Sequence, residues 1–344
     1  MMRFFLLGIA IIAVLLALLP HIIYLVVKLT GLIAHFRVSY RPFGIATLIL
    51  VGMWVLTAIY GNIRGRFRHE VKAVELRLES LPPAFDGLRL VHISDLHLDG
   101  WVGHERELQQ RVNEINALHP DIICFTGDLV SLSPDELRPF IPVLRQLRAH
   151  QGGRVYAVLG NHDYLPYNRS ADSLARAAAV AELIRMEREE LGWTVLLNES
   201  DIIHRGADSI AILGCENQSV GAHPVVQRGD LRKAMQCIAP DSLAMHHSQQ
   251  STFSILLTHD PSQWRKEVLT DTDIPLTLSG HTHAMQLRVL GFTPSRWIYP
   301  ECDGLYSEGN QFLYVNIGLG GTLPWRIGAT PEITLITLRQ VSAR

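Results

Sequence analysis

Five short motifs carry the residues able to do chemistry. In chain order they are Ser94-Asp95-Leu96-His97, Gly127-Asp128, Gly160-Asn161-His162-Asp163, His259-Asp260 and Ser279-Gly280-His281-Thr282-His283. They offer carboxylates, an amide and imidazoles, and no thiolate. That donor set suits divalent ions held by mixed nitrogen and oxygen ligands. In extended chain, residues i and i+2 project to one side, so Asp95 with His97, and His281 with His283, can each bite one site. Each motif alone is commonplace, and only five of the 16 histidines belong to the set. The pair His246-His247, for instance, reads as part of a polar loop. The weight lies in the ordered set.

Each motif sits at the end of an apolar run. The runs 88–93, 121–126, 155–159, 253–258 and 275–278 read as buried strands that lead into the five motifs, and 209–213, 312–317 and 333–338 read as further strands. Helical patterns fill 105–118, 134–149 and 171–191. Alternating strands and helices predict an α/β domain with mixed sheets, and such folds build their ligand sites at the carboxyl ends of strands. Glycines at 127, 160 and 280 permit the tight exits from the strands.

The 344 residues are unevenly charged. Residues 1–69 contain no Asp or Glu and seven basic residues, whereas the remainder carries 24 basic against 33 acidic side chains. The formal net charge of −2 excludes a globally basic nucleic-acid binder, so no nucleic-acid partner is expected. Two stretches, 4–27 and 44–60, hold no Asp, Glu, Lys or Arg and are long enough to cross a bilayer, which needs roughly 17–25 apolar residues per helix. The expected organisation is therefore a membrane anchor over 1–61 formed by two transmembrane helices, a basic linker over 62–69 and a catalytic domain over 70–344. Lys28, Arg37 and Arg41 flank one side of the pair, against Arg3, Arg64, Arg66, Arg68 and Lys72 on the other. The positive-inside rule then makes this a multi-pass protein of the cell membrane with its catalytic domain on the cytoplasmic face. Cys124, Cys215, Cys237 and Cys302 are widely spaced and form no C-x-x-C pair, which suits reduced thiols.

The ordered set D-x-H, G-D, G-N-H-D, H-D, G-H-T-H resembles the calcineurin-like metallophosphoesterase superfamily, and the resemblance runs from Glu70 to the C-terminus. The phrase LPPAFDGLRLVHISDLH at 81–97, with YVNIGLG at 314–320 and PEIT at 331–334, looks like its YkuE/YaeI-type membrane-associated branch. That branch often reads G-H-T-H-G-G-Q; here Ala284 and Met285 replace the two glycines. The resemblance implies a four-layer α/β-β/α sandwich with two divalent metal ions (Mn, Fe, Zn or Co) at the sheet ends. It implies that Asp95, His97 and His283 hold one metal, that Asn161, His259 and His281 hold the other, and that Asp128 bridges them.

The chemistry agrees with that assignment. Two cations about 3.5–4 Å apart acidify a shared water, and the resulting hydroxide attacks phosphorus in line. His162, beside a ligand without being one, is the natural proton donor to the leaving oxygen, with Asp163 expected to orient it. The function expected is a membrane-anchored phosphohydrolase or phosphodiesterase acting on a phosphoester. Proximity to lipid headgroups favours a phospholipid or a lipid-linked nucleotide. The alternative is a catalytically inactive membrane scaffold or sensor, but such a protein would be expected to have lost ligands, and all seven are present.

Overall fold

The computed structural model describes residues 2–168, 171–219, 226–236, 238 and 252–341. Cys237 and the His246-His247 pair lie outside the described residues. The strands, in chain order, are β1 (Glu70–Leu78), β2 (Arg89–Ile93), β3 (Ile122–Phe125), β4 (Val155–Ala157), β5 (Thr194–Val195), β6 (Glu199–Arg205), β7 (Asp208–Gly214), β8 (Phe253–Leu257), β9 (Leu276–Ser279), β10 (Gly304–Glu308), β11 (Gln311–Val315) and β12 (Glu332–Gln340). The helices used below are α1 (Met2–Ile33), α2 (Arg41–Tyr60), α3 (Glu105–Ala117), α4 (Ile141–Leu144), α5 (Ser173–Arg185) and α6 (Leu231–Met235).

The strands form two six-stranded mixed sheets. The first runs β1-β12-β2-β3-β4-β5, with β2 to β5 parallel and β12 antiparallel to β2. The second runs β10-β11-β9-β8-β7-β6, parallel from β11 to β7, with antiparallel partners at both edges. Side chains alternate across each strand. Leu90, Ile122, Tyr156 and Ile336 of the first sheet face Ile210, Ile255, Leu276 and Tyr314 of the second in a shared core. Val91, Ile123 and Phe125 point the other way, onto Leu108 and Val112 of α3, Leu144 of α4 and Leu183 of α5. On the far side, Leu213, Leu256 and Leu313 are covered by Leu231 of α6 and by Trp264 and Val268. The result is the helix–sheet–sheet–helix sandwich expected.

The 134–149 pattern does not fold as one helix. Two 3₁₀ turns, Pro134–Glu136 and Arg138–Phe140, precede the single turn α4, because Pro139 and Pro142 each remove an amide donor and clash with the preceding turn. The 171–191 pattern yields α5 and then a π-turn, Met186–Glu190.

Helices α1 and α2 are long and apolar enough to cross a membrane and are almost entirely uncovered by the rest of the protein. They pack antiparallel: Trp54 Nε1 donates to Ile9 O at 3.0 Å, and Tyr40 Oη meets His21 Nε2 at 2.6 Å. Helix α2 does not stop where its apolar run stops. It continues as a π-turn, Gly61–Gly65, which is seated on the sandwich. Asn62 Nδ2 donates to Pro324 O at 2.5 Å, Arg326 N donates to Gly61 O at 3.1 Å, and the Trp54 and Trp325 rings lie 6.3 Å apart. Phe67 then packs on Trp101, at 5.8 Å between ring centroids.

Candidate metal centre

The carboxyl ends of β2, β3 and β4 in one sheet and of β8 and β9 in the other open at the same edge of the sandwich. The turns that leave them are tightly constrained. Asp95, His97, Asp128, His281 and His283 all have positive φ, a region Asp and His enter more readily than most residues but still at a cost of order 1 kcal/mol or more each. Glycine is required close by: a Cβ at Gly160 would overlap Asp128 Oδ1, and one at Gly280 would overlap Ser94 Oγ and Asp95 Oδ2. Ala284 and Met285, which stand where the resembled branch often has glycines, both adopt a left-handed φ of 48°.

Two groups of ligand atoms gather there, each with all members within 4.8 Å of one another. Asp95, His97, Asp128 and His283 make the first; Asp128, His259 and His281 make the second. Asn161 joins the second, its Oδ1 lying 3.1 Å from His259 Nε2. The expected i, i+2 pairing holds for Asp95 and His97 but not for the other pair. His281 and His283 diverge, one to each group, although positive φ is common to both pairs.

The histidine nitrogens face one another in a way that calls for a cation. His97 Nε2 is 3.2 Å from His283 Nε2, and His281 Nδ1 is 3.2 Å from His259 Nε2. The opposite ring nitrogens are held from behind. His259 Nδ1 donates to Thr126 O at 2.7 Å. His97 Nδ1 meets Ser131 Oγ at 3.1 Å, and that hydroxyl donates onward to Asp99 Oδ1 at 2.6 Å, so the imidazole is the donor. His281 Nε2 meets Tyr299 Oη at 2.8 Å. Such partners fix the tautomer and aim the remaining lone pair into the site. His283 is the least well prepared of the four, because its Nδ1 faces the Arg326 guanidinium, a pure donor, at 3.3 Å. These donors fit divalent metal ions. Ser131, Asp99, Tyr299 and Arg326 escaped the sequence reading, since a hydroxyl, a phenol or an arginine has no signature of its own.

The charges interact strongly. Burial alone would keep Asp128 protonated, but His259, His162 and His97 hold its carboxyl well below the usual range. Burial likewise opposes a charge on His259, yet Asp128 and Asp95 outweigh it and push the ring up to about 10. Burial lowers His97 to about 3 and, with His97 and Arg326 nearby, holds His283 well below the imidazole range. Burial raises Asp95 to about 7, assisted by Asp128.

His162 and Asp163 occupy different environments. His162 is half-buried at the rim; its main-chain N donates to Asp128 Oδ1 at 2.8 Å, its Nδ1 lies 3.2 Å from Ser131 O, and its ring stacks on Tyr167 at 4.5 Å. Asp163 is fully buried and does not orient that ring. Its carboxylate accepts the N–H groups of Asp128 at 2.7 Å, Gly160 at 2.8 Å and Val130 at 3.1 Å. The expected orienting role passes to Ser131 O, because the 3₁₀ turn His162–Tyr164 sends adjacent side chains in different directions.

Residues 88–285 match the family model of the calcineurin-like phosphoesterases. The chain is 30% identical to the metallophosphoesterase YkuE of Bacillus subtilis, over 89% of this chain and 99% of that one. It is also 30% identical to a transmembrane protein with metallophosphoesterase domain from Danio rerio, over 86% of this chain but 63% of that one, so it spans less than two thirds of the fish protein. A metallophosphoesterase of Campylobacter jejuni is 28% identical over 82% of this chain and 66% of its own. The chain belongs to the calcineurin-like phosphoesterase family. It is a metallophosphoesterase, a hydrolase of phosphoric esters, with a cluster of Asp and His residues able to bind metal.

Proposed function

We propose that the protein is a membrane-anchored phosphodiesterase or phosphohydrolase working with two divalent ions drawn from Mn, Fe, Zn and Co. The observation that carries this reading is that Asp128 belongs to both ligand groups. Asp95, His97 and His283 would hold one ion, Asn161, His259 and His281 the other, and Asp128 would bridge. Bound there, the ions supply a nucleophilic water of lowered pKa and neutralise charge on the phosphoryl oxygens. The protein's own part is positioning and proton transfer. Thr126, Ser131 and Tyr299 aim the imidazoles. His162 donates through Nδ1 to Ser131 O, so Nε2 is the nitrogen that delivers a proton to the leaving oxygen.

The proposed organisation is an anchor over 1–61 crossing the membrane twice, a short linker over 62–69 and a phosphoesterase domain over 70–344, on the cytoplasmic side. The two apolar helices support an anchor, as does the name of the Danio rerio relative. So does the exposed apolar segment 289–298, where Trp297 is 78% and Ile298 61% exposed. It adjoins Ile327 and Gly61 at the foot of α2 through the bond from Arg288 N to Ile327 O. A phosphoester carried by a lipid is the substrate that such an anchor favours.

The test is hydrolysis of bis(p-nitrophenyl) phosphate by the purified full chain with Mn²⁺. Asp128→Asn should lower the rate at least about a thousandfold and reduce bound metal, because both ligand groups lose their shared charge. A folded, metal-replete Asp128→Asn protein with full activity would end the two-ion assignment.

A further inference from the structure

A cavity of about 350 Å³ lies beside the first ligand group, between the turn at 99–102 and the loop at 320–324. His97 lines one part of it, and Arg66, just past the π-turn that ends the apolar hairpin, lines another. The cavity therefore joins the candidate metal centre to the foot of α2. Gly320 and Gly321 give it bare backbone wall, while Leu323 and Val102, both exposed, give it an apolar lip.

Arg66 is held in place but not neutralised. Its guanidinium lies over the Phe67 ring at 4.4 Å, and its Nη2 is 3.2 Å from His104 Nε2. Its Nη1 reaches Gly100 O only at 3.5 Å, and its Nε is buried without a hydrogen-bond partner. Among the described residues no carboxylate forms an ion pair with it. The other arginine of the cavity, Arg326, also has a buried Nε without a partner, but both its Nη atoms are committed to carbonyls, those of Ile317, Gly320 and Ala329, and it is wholly buried. The cavity's carboxylate, Asp99, accepts from Ser131 at the His97 end. A half-buried guanidinium with donors to spare and no counter-charge is a receptor for an anionic oxygen.

We propose that Arg66 is a substrate-binding residue: while the metal centre takes the scissile phosphoryl group, Arg66 takes a second anionic group of the same molecule, and the apolar lip takes its hydrocarbon part. The substrate class is then an amphiphile with two linked anionic groups, of which a lipid diphosphate is the simplest member. The inference rests on the phosphoesterase reading above and adds that the anchor's own junction completes the substrate site.

The experiment compares farnesyl diphosphate with farnesyl monophosphate as inhibitors of bis(p-nitrophenyl) phosphate hydrolysis by the full chain in detergent with Mn²⁺. The wild-type protein should prefer the diphosphate, and Arg66→Ala should cut that preference about tenfold, the scale of one charge-assisted hydrogen bond, with Arg66→Lys restoring part of it. A preference unchanged in Arg66→Ala, or an equal weakening of both ligands as expected of a mere brace between anchor and domain, overturns the proposal. If the wild-type protein does not hydrolyse the reporter, the phosphoesterase reading is what has failed. The same pair is then titrated calorimetrically into the metal-free full chain, where an Arg66-dependent preference for the diphosphate supports the site and its absence overturns it.

Discussion

The carboxylate of Asp163 accepts the main-chain N–H of Asp128 at 2.7 Å, so one buried acid sets the position of another. Burial and the Asp128 charge push Asp163 up to about 7, and its three backbone donors tie the turns after β3 and β4 together. Removing it strands those donors, at roughly 1–3 kcal/mol for each that water cannot reach. Asp163→Ala should therefore lower the unfolding temperature and the bound metal, and should slow hydrolysis equally for good and poor leaving groups. A rate loss confined to poor leaving groups, with metal intact, would return Asp163 to the role of orienting His162.

His162 should behave in the opposite way. Its bond to Asp128 is made by the main chain and survives in His162→Ala. That variant should keep its metal content and lose about 10²–10⁴ in rate on esters with poor leaving groups, while activated aryl esters, which need no proton, suffer less. Equal losses on both kinds of substrate would remove the proton-donor assignment.

The anchor should be separable from the chemistry, but the position of the cut should matter. A chain starting at Gly61 keeps Asn62 on Pro324 and Phe67 on Trp101, whereas one starting at Glu70 loses both. The shorter chain should unfold at lower temperature, by an amount matching about 1 kcal/mol for one half-buried aromatic side chain. Identical melting curves would mean that the junction contributes nothing to the fold.

His92 offers a pH signature away from the ligands. It is fully buried, bonds Thr126 Oγ1 at 2.9 Å, and burial lowers it to about 3. An imidazole depressed in the folded state leaves the unfolded chain as the better proton binder below about pH 6.5. Its stability contribution is complete above that pH and falls by up to about 1.4 kcal/mol per unit as the pH drops toward 3. Protonation of the metal ligands acts on wild-type and variant proteins alike, so the comparison isolates His92. Denaturant unfolding of His92→Phe should show a shallower acid slope than wild type, and equal slopes would contradict the assignment.

The parts of this fold legible in the sequence are those whose physics is local. β2, β3, β4, β8 and β9 are covered on both faces, so each reads as a mostly apolar run ending where a ligand-bearing turn begins. β1 and β6 lie at sheet edges with one face half-wet, and their charged residues hid them. β5 has two residues and no pattern to find. In the candidate site, residue type announced the donors, but the i, i+2 spacing is the same for Asp95 with His97, which stay together, and for His281 with His283, which part to different groups. The partners of Asp163 were invisible for another reason: they are main-chain N–H groups, which every residue except proline owns.

The seat of β12 between β1 and β2 has a consequence for how the protein is made. Its neighbours leave the ribosome early, yet Glu332–Gln340 cannot slide between them until everything from β3 to β11 has been translated. For most of synthesis the first sheet lacks the strand that joins its edge to its centre. Until then the nascent domain waits incomplete, with apolar β2 short of one partner. Such a chain is open to aggregation and to chaperones for longer than one whose strands pair in the order of their synthesis. The segment Gly318–Gly320, which bonds Ser94 and Asp95 and leads into β12, is late as well. The metal centre therefore closes last, and a prematurely terminated chain would carry most of the donors on a sheet unable to hold them.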